Sequence, residues 1–140
     1  MNKVSCKFAV TTHDVDCHVV TETLSIVPTR CVNKGDKIPS KYSQGGTRLC
    51  GIWEIRSPPV ISADVNVSSH IKYFHDILGG KLEIINEFKS VYQFECVFLI
   101  DIYTEDAGAG FSLCKEELDF IHSISTRYDC HIMFKERIEV

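Results

Sequence analysis

"YQFECVFLIDI", Tyr92 to Ile102, carries the cleanest pattern in the chain. Tyr92, Phe94, Cys96, Phe98, Ile100 and Ile102 alternate with Gln93, Glu95, Val97, Leu99 and Asp101, and a period of two puts the first set on one face of a β-strand. That face is wholly apolar and must be covered, whereas the other carries polar groups and can meet water. A long strand of this kind is expected at the centre of a sheet covered on one side.

Three further stretches repeat the alternation. In Val4 to Thr11, Val4, Cys6, Phe8 and Val10 oppose Ser5, Lys7, Ala9 and Thr11. In "RLCGIWEIRS", Arg48 to Ser57, Leu49, Trp53 and Ile55 share the side of Gly51, opposite Arg48, Cys50, Ile52, Glu54 and Arg56. In Tyr128 to Phe134, Tyr128, Cys130, Ile132 and Phe134 oppose Asp129, His131 and Met133. Helical spacing runs between these strands. Cys17, Val20 and Leu24 follow an N-cap at Asp14 or Asp16, with Pro28 as the stop; Ile71, Phe74 and Leu78 precede Gly79-Gly80. Leu82, Ile85 and Phe88 form a shorter helix, and Cys114, Leu118 and Ile121 predict one more. The segment from Pro28 to Thr47 reads as a long loop with room for a short strand near Arg30 to Asn33.

Strands with one apolar and one polar side, interspersed with helices, predict an α+β fold. The expectation is one domain over residues 1–140: a single four-stranded, largely antiparallel sheet with helices packed on one face. A ferredoxin-like sandwich with extra helices between its halves fits that alternation. A chain of 140 residues suits one core, since a domain of this size buries roughly 70% of its unfolded surface. No stretch approaches the roughly 18 apolar residues of a membrane span, and the start lacks a secretory pattern, so a cytoplasmic protein without membrane contact is expected.

Seven cysteines form an odd set with no Cys-x-x-Cys pair, which favours reduced thiols over a disulfide framework. Cys17-His18 and Cys130-His131 are adjacent pairs whose side chains diverge, so neither predicts a zinc site, and no cofactor is implied. Cys114 opens a helix, where a thiol pKa can fall; the alternative, favoured here, is that it faces the core beside Leu118. His70 and His75 stand too far apart around their helix to share a metal. "EDAGAG", Glu105 to Gly110, is a weak phosphate-loop match with two acids that repel an anion. No catalytic motif is present, so no catalytic residue is assigned and a non-enzymatic role is expected.

Charge is distributed unevenly. Between Pro28 and Arg48, Arg30, Lys34, Lys37, Lys41 and Arg48 stand against Asp36 alone, a local +4, so in a chain of net −4 the remainder sums to −8. Such asymmetry fits an anionic partner for the loop, an acidic body that meets a basic partner, or simply a solubilising loop on an ordinary acidic protein. Tyr42 is the one aromatic in the loop. The open sheet face presents Lys7, Gln93, Glu95, Asp101, His131 and Lys135 rather than a row of aromatics, which disfavours nucleic acid.

The segments "DVDCHVVTETLSIVPTRCVNKGD" (14–36), "GIWEIRS" (51–57), "FSLCKEELDFIHSI" (111–124) and "YDCHIMF" (128–134) resemble the bacterial family catalogued as domain of unknown function 4279. In that family a helix ends in a leucine with a proline soon after, here Leu24 and Pro28. A Gly-Asp follows, here Gly35-Asp36, and then a tryptophan in a strand, here Trp53. One departure is Cys114, where the family commonly has a capping serine. The resemblance implies a fold more than an activity, although its members are similar in size to immunity proteins carried beside bacterial toxins. The expectation is therefore a protein-binding module, in its most specific form an immunity protein that covers the active site of a cognate toxin, with an acidic body steering capture of a basic partner. The alternative is a small-molecule-binding regulatory or accessory domain. The candidate partner-binding residues are Arg48, Glu54, Arg56, Lys34, Lys37 and Glu95; the oligomeric state is left open.

Overall fold

The computed structural model describes residues 1–39, 45–136 and 138; Lys41 and Tyr42 of the expected basic loop lie outside them. The elements in order are β1 (Asn2–Thr12), α1 (His18–Leu24), β2 (Arg30–Val32), β3 (Gly51–Arg56), β4 (Val60–Ser62), α2 (Ser68–Leu78), α3 (Leu82–Ser90), β5 (Glu95–Thr104), α4 (Lys115–Ile124) and β6 (Arg127–Phe134). The architecture is α+β, built on an open mixed sheet ordered β2-β3-β1-β5-β6, with β4 paired to β1.

Six strands replace the expected four; β4 pairs with one end of β1, and β6 extends the sheet beyond β5. β2 runs antiparallel to β3, and β3 antiparallel to β1, so β1, α1 and β2 form a split β-α-β unit with β3 between its strands. In the second unit β5 and β6 are adjacent and parallel, whereas the other strand pairs among the described residues are antiparallel, as the largely antiparallel expectation has it. Alternation reports a strand's faces but not its direction or neighbours, so this difference was invisible in the pattern. β4, three residues long, is too short to show a period.

The covered face follows the predicted parity through the centre of the sheet. Register aligns Phe8 with Ile55 and Phe98, and Val10 with Trp53 and Cys96, and all six are buried. Helices close this face with Val20 and Leu24, then Ile71, Phe74 and Leu78, then Ile85 and Phe88, and finally Phe120, Ile121 and Ile124. The Phe74 ring meets Phe98 edge to face at 5.4 Å. Trp53 is fully buried, and its indole N–H donates to Thr21 Oγ1 at 2.9 Å, which ties α1 to β3 without stranding a polar atom.

Parity fails where elements end. β3 begins at Gly51, a position that takes glycine because a Cβ there would collide with Thr12 Oγ1 and stand 3.0 Å from the Val32 carbonyl oxygen. Leu49 lies before that point and is 89% exposed rather than in the core. Tyr92 also lies outside its strand: Gln93 takes a left-handed φ of 53°, which a strand cannot hold, and Tyr92 stacks on Phe94 instead. β6 keeps Tyr128, Cys130, Ile132 and Phe134 in register with the covered side of β5, yet all four are exposed, since this edge strand extends beyond the helix layer. On α4 the buried stripe is Phe120, Ile121 and Ile124, and Leu118 faces solvent. The alternative spacing was available in the sequence but was hidden by the Cys114, Leu118, Ile121 series.

One polar cluster joins the two layers. β5 pairs with one edge of β1 from Asn2 to Thr11, while β4 and β3 divide the other edge. Between them stand Ser57, Pro58 and Pro59, and prolines donate no ladder hydrogen bond. Ser57 fills the gap: its N–H donates to the Cys6 carbonyl at 2.9 Å and its Oγ accepts from the Cys6 N–H at 2.9 Å. His70 Nδ1, from α2, lies 2.7 Å from the same hydroxyl, which also reaches the Cys6 carbonyl at 3.3 Å. We assign Nδ1–H as donor to Ser57 Oγ, with the hydroxyl donating to Cys6 O. His70 Nε2, buried without a partner, is then a bare lone pair rather than a stranded N–H. Ser57 and His70 are both buried, and the Ser57 hydroxyl and His70 Nδ1 are committed to each other and to Cys6, so the pair acts as a structural clamp.

Two expectations follow for stability. Trp53→Ala should cost about 3–5 kcal/mol in denaturant unfolding, whereas Leu49→Ala should be neutral within about 0.5 kcal/mol. Burial holds the His70 pKa below its ordinary value, so the folded imidazole refuses a proton that the unfolded one accepts below about pH 6.5. Stability present above that pH should therefore fall as the pH drops toward the folded pKa. Unfolding midpoints at pH 7.5 and 5.5 should show a steeper loss for the wild-type chain than for His70→Asn; equal slopes would refute the assignment.

Candidate functional site

The uncovered face of the sheet is built by the odd-numbered residues of β1 and β5. Register places Lys7 between Arg56 and Leu99, Ser5 beside Asp101, and Lys3 beside Tyr103; on β6, His131 stands beside Asp101. Lys3, Ser5, Lys7, Arg56, Asp101 and Tyr103, with Pro59, Lys135 and Ile138, line a concavity of about 490 Å³. Four of the lining residues, Lys3, Lys7, Arg56 and Lys135, are cationic, against one carboxylate, Asp101.

That carboxylate is already shared. Asp101 receives Lys7 Nζ at 3.6 Å on one oxygen and approaches His131 Nδ1 at 3.5 Å on the other. Lys135 Nζ sits 4.7 Å above the Tyr103 ring, a cation–π contact. Among the described residues Lys3 and Arg56 have no carboxylate within ion-pair distance, and both are exposed. Among the described residues the basin therefore carries more positive than negative charge, with Ser5 and Tyr103 also in its lining, a combination that suits an anionic group.

Beside the basin the open face turns apolar. Ala9, Ile52, Val97 and Leu99 are half-buried, and the surrounding charges are paired: Arg30 with Glu54 at 3.8 Å, and Arg127 with Glu95 at 2.5 Å. Of the six predicted partner-binding residues, the basin contains Arg56 alone. Glu54 is 7% exposed and held by Arg30, and Glu95 is held by Arg127. Arg48 lines a separate depression with Arg30, Val32 and Ile38. Lys34 pairs with Asp14 at 3.3 Å, and Lys37 bridges to Thr47 within the loop. Lys3, Ser5, Tyr103 and Lys135 were missing from that set. Their parity was legible, but β1 had first to be placed beside both β3 and β5.

The thiols offer no activated nucleophile on this face. Burial pushes Cys6 and Cys96 up to about 12. Burial, then the Asp101 charge, raises Cys130. Cys114 is exposed at the N-cap of α4 instead of facing the core, and the Glu117 carboxylate that reaches back to it raises its pKa. The lowering expected at a helix start is thus reversed. Two cysteines expected to be free are joined: Cys17 and Cys31 form a disulfide, with His18 Nδ1 3.7 Å from Cys31 Sγ.

No helix among the described residues is long and apolar enough to cross a membrane. Comparison with curated proteins and with solved structures found no match. The model of one family, domain of unknown function (DUF4279), matches residues 2–135, which span β1 to the end of β6 and so include both the covered core and nearly all of the basin. This chain belongs to that family.

Proposed function

We propose that this chain is a non-enzymatic binding module that captures a protein partner on the open face of its sheet, with an acidic element of the partner seated in the basin. The observation that carries this reading is the one-sided cover of the sheet. Helices close one face, while the other offers half-buried Ala9, Ile52, Val97 and Leu99 beside a rim of charge. An apolar centre with a polar rim is the usual anatomy of a protein interface. In its most specific form the reading is an immunity protein that covers the active site of a cognate toxin. The acidic net charge alone favoured a basic toxin; Lys3 and Arg56 on this face instead favour an acidic contact element within it.

A second reading, a regulatory or accessory domain that takes a small anion, is favoured by the basin itself. Its volume of about 490 Å³ lies within the roughly 300–1,000 Å³ of small-molecule sites.

Co-expression with the product of a neighbouring toxin gene tests the first reading. The wild-type chain should protect the host and co-purify with the toxin. Lys3→Glu/Arg56→Glu should weaken binding about tenfold or more while leaving the unfolding midpoint within about 0.5 kcal/mol. If no neighbouring toxin is bound or neutralised, the immunity form is lost; if a small anion stays bound through purification and the double variant releases it, the second reading takes its place.

A further inference from the structure

The N-terminus of α1 and the edge strand β2 meet through three soft or borderline donors. Cys17 and Cys31 lie 14 residues apart in sequence, with Cα atoms 5.8 Å apart. The ligand atoms of Cys17, His18 and Cys31 all lie within 4.8 Å of one another. Cys17 and His18, expected to diverge as sequence neighbours, instead bring their ligand atoms within 4.8 Å of each other at the start of α1, and Cys31 approaches both from β2.

We propose that Cys17, Cys31 and His18 form a redox-gated binding site for a thiophilic divalent cation of the zinc class. Around a tetrahedral zinc, with Zn–S about 2.3 Å and Zn–N about 2.0 Å, neighbouring ligand atoms stand about 3.5–3.8 Å apart. The 3.7 Å from His18 Nδ1 to Cys31 Sγ already matches such an edge. The backbone on the α1 side is fixed: the Cys17 N–H donates to Asn33 Oδ1 and the His18 N–H to Asp16 Oδ1, each at 2.8 Å. Asp16 lines the neighbouring depression with His13, Asn33 and the Asp14–Lys34 ion pair and lends negative potential to a bound cation. Cys17 is buried and His18 exposed, so three protein ligands hold the ion from one side and leave a fourth position to solvent. Thiolate and imidazole together select zinc over the oxygen-seeking magnesium and calcium.

The disulfide is the closed state of this site. Opening it takes two electrons and two protons from a dithiol reductant, which leaves as its own disulfide, and yields two thiols. Cation binding then releases both thiol protons to solvent. Oxidation by a disulfide oxidant reverses the sequence and expels the ion. The site therefore holds its cation only under reducing conditions, and it operates independently of the basin on the open face.

The test uses the full chain, reduced with a dithiol and freed of reductant under nitrogen, then titrated with Co²⁺ as a spectroscopic stand-in for zinc. One equivalent should produce thiolate-to-cobalt charge transfer in the near ultraviolet and tetrahedral d–d bands in the visible, both abolished by Zn²⁺; the oxidised chain should give neither. Cys31→Ser should lose both signals, and because the comparison is made in the reduced state the substitution removes no disulfide. His18→Ala, on an exposed side chain, should keep charge transfer but bind about tenfold or more weakly. The proposal is overturned if the reduced wild-type chain gives no tetrahedral signal, if Cys31→Ser binds as tightly as wild type, or if His18→Ala leaves affinity and spectrum unchanged.

Discussion

The fold depends on β1 being hydrogen-bonded along both edges. One edge is occupied by β5 alone; the other passes from β4 to β3 across a Ser-Pro-Pro break. Pro58 and Pro59 cannot continue a ladder, and an unpaired N–H at Cys6 would be a buried loss of about 1–3 kcal/mol. Ser57 repairs the break with its own backbone and hydroxyl, and His70 holds that hydroxyl from the helix layer. The repair therefore also fixes how α2 sits on the sheet. It explains why a histidine lies among apolar residues with one nitrogen unpartnered: removing the imidazole would free the hydroxyl that completes β1.

With β1 satisfied on both edges, its side chains divide cleanly. Even-numbered residues go under the helices, and the odd-numbered Lys3, Ser5 and Lys7 form the floor of the basin. Lys3, Ser5 and Lys7 are thus fixed by the same ladder that buries Val4, Cys6 and Phe8, and a ligand at the basin would meet a floor that cannot shift by a residue without turning the core outward. The Asp101 carboxylate sits in that floor because Lys7 and His131 flank it; a buried carboxylate without such partners would be expensive. Its pairing takes up Lys7 but neither Lys3 nor Arg56, so among the described residues the basin keeps an excess of positive charge in an acidic protein.

Much of this was legible in the sequence, and the failures have physical causes. Period-two alternation located β1, β3, β5 and β6 and gave Trp53 its buried side, because those faces are dictated by pleat geometry. It failed at Leu49 and Tyr92, where a strand ends within an alternating run, and at Tyr128, Ile132 and Phe134, where a face has the right parity but no helix above it. Parallel pairing of β5 and β6 leaves no trace in either strand alone. The candidate site is the least legible: Lys34 and Lys37 stand out by the local charge of one loop and Arg48, Glu54 and Arg56 by strand parity, whereas the basin is assembled from β1, β3, β5 and the segments after β3 and β6, whose adjacency is a property of the fold. Cys17 and Cys31 were missed for the same reason, since their meeting depends on α1 folding back against an edge strand.

The position of the sulfur pair separates it from the rest of the molecule. Cys31 is in register with Trp53, which is in register with Val10, so the pair belongs to the far end of β1 from Lys3 and the basin. β2 is a three-residue edge strand paired to β3, and the disulfide closes a loop of 14 residues, worth about 3 kcal/mol by chain-entropy reasoning. Opening it releases α1 and β2 from that constraint while the long β1–β5 ladder, the Ser57 clamp and the helices over Phe98 remain intact. Trp53 limits how far the loosening can spread, because its bond to Thr21 holds α1 to β3 whether or not the sulfurs are joined. A cation bridging Cys17, Cys31 and His18 would restore the lost cross-link at the same place, so the oxidised and metal-bound forms should share one fold and differ only in what joins α1 to β2.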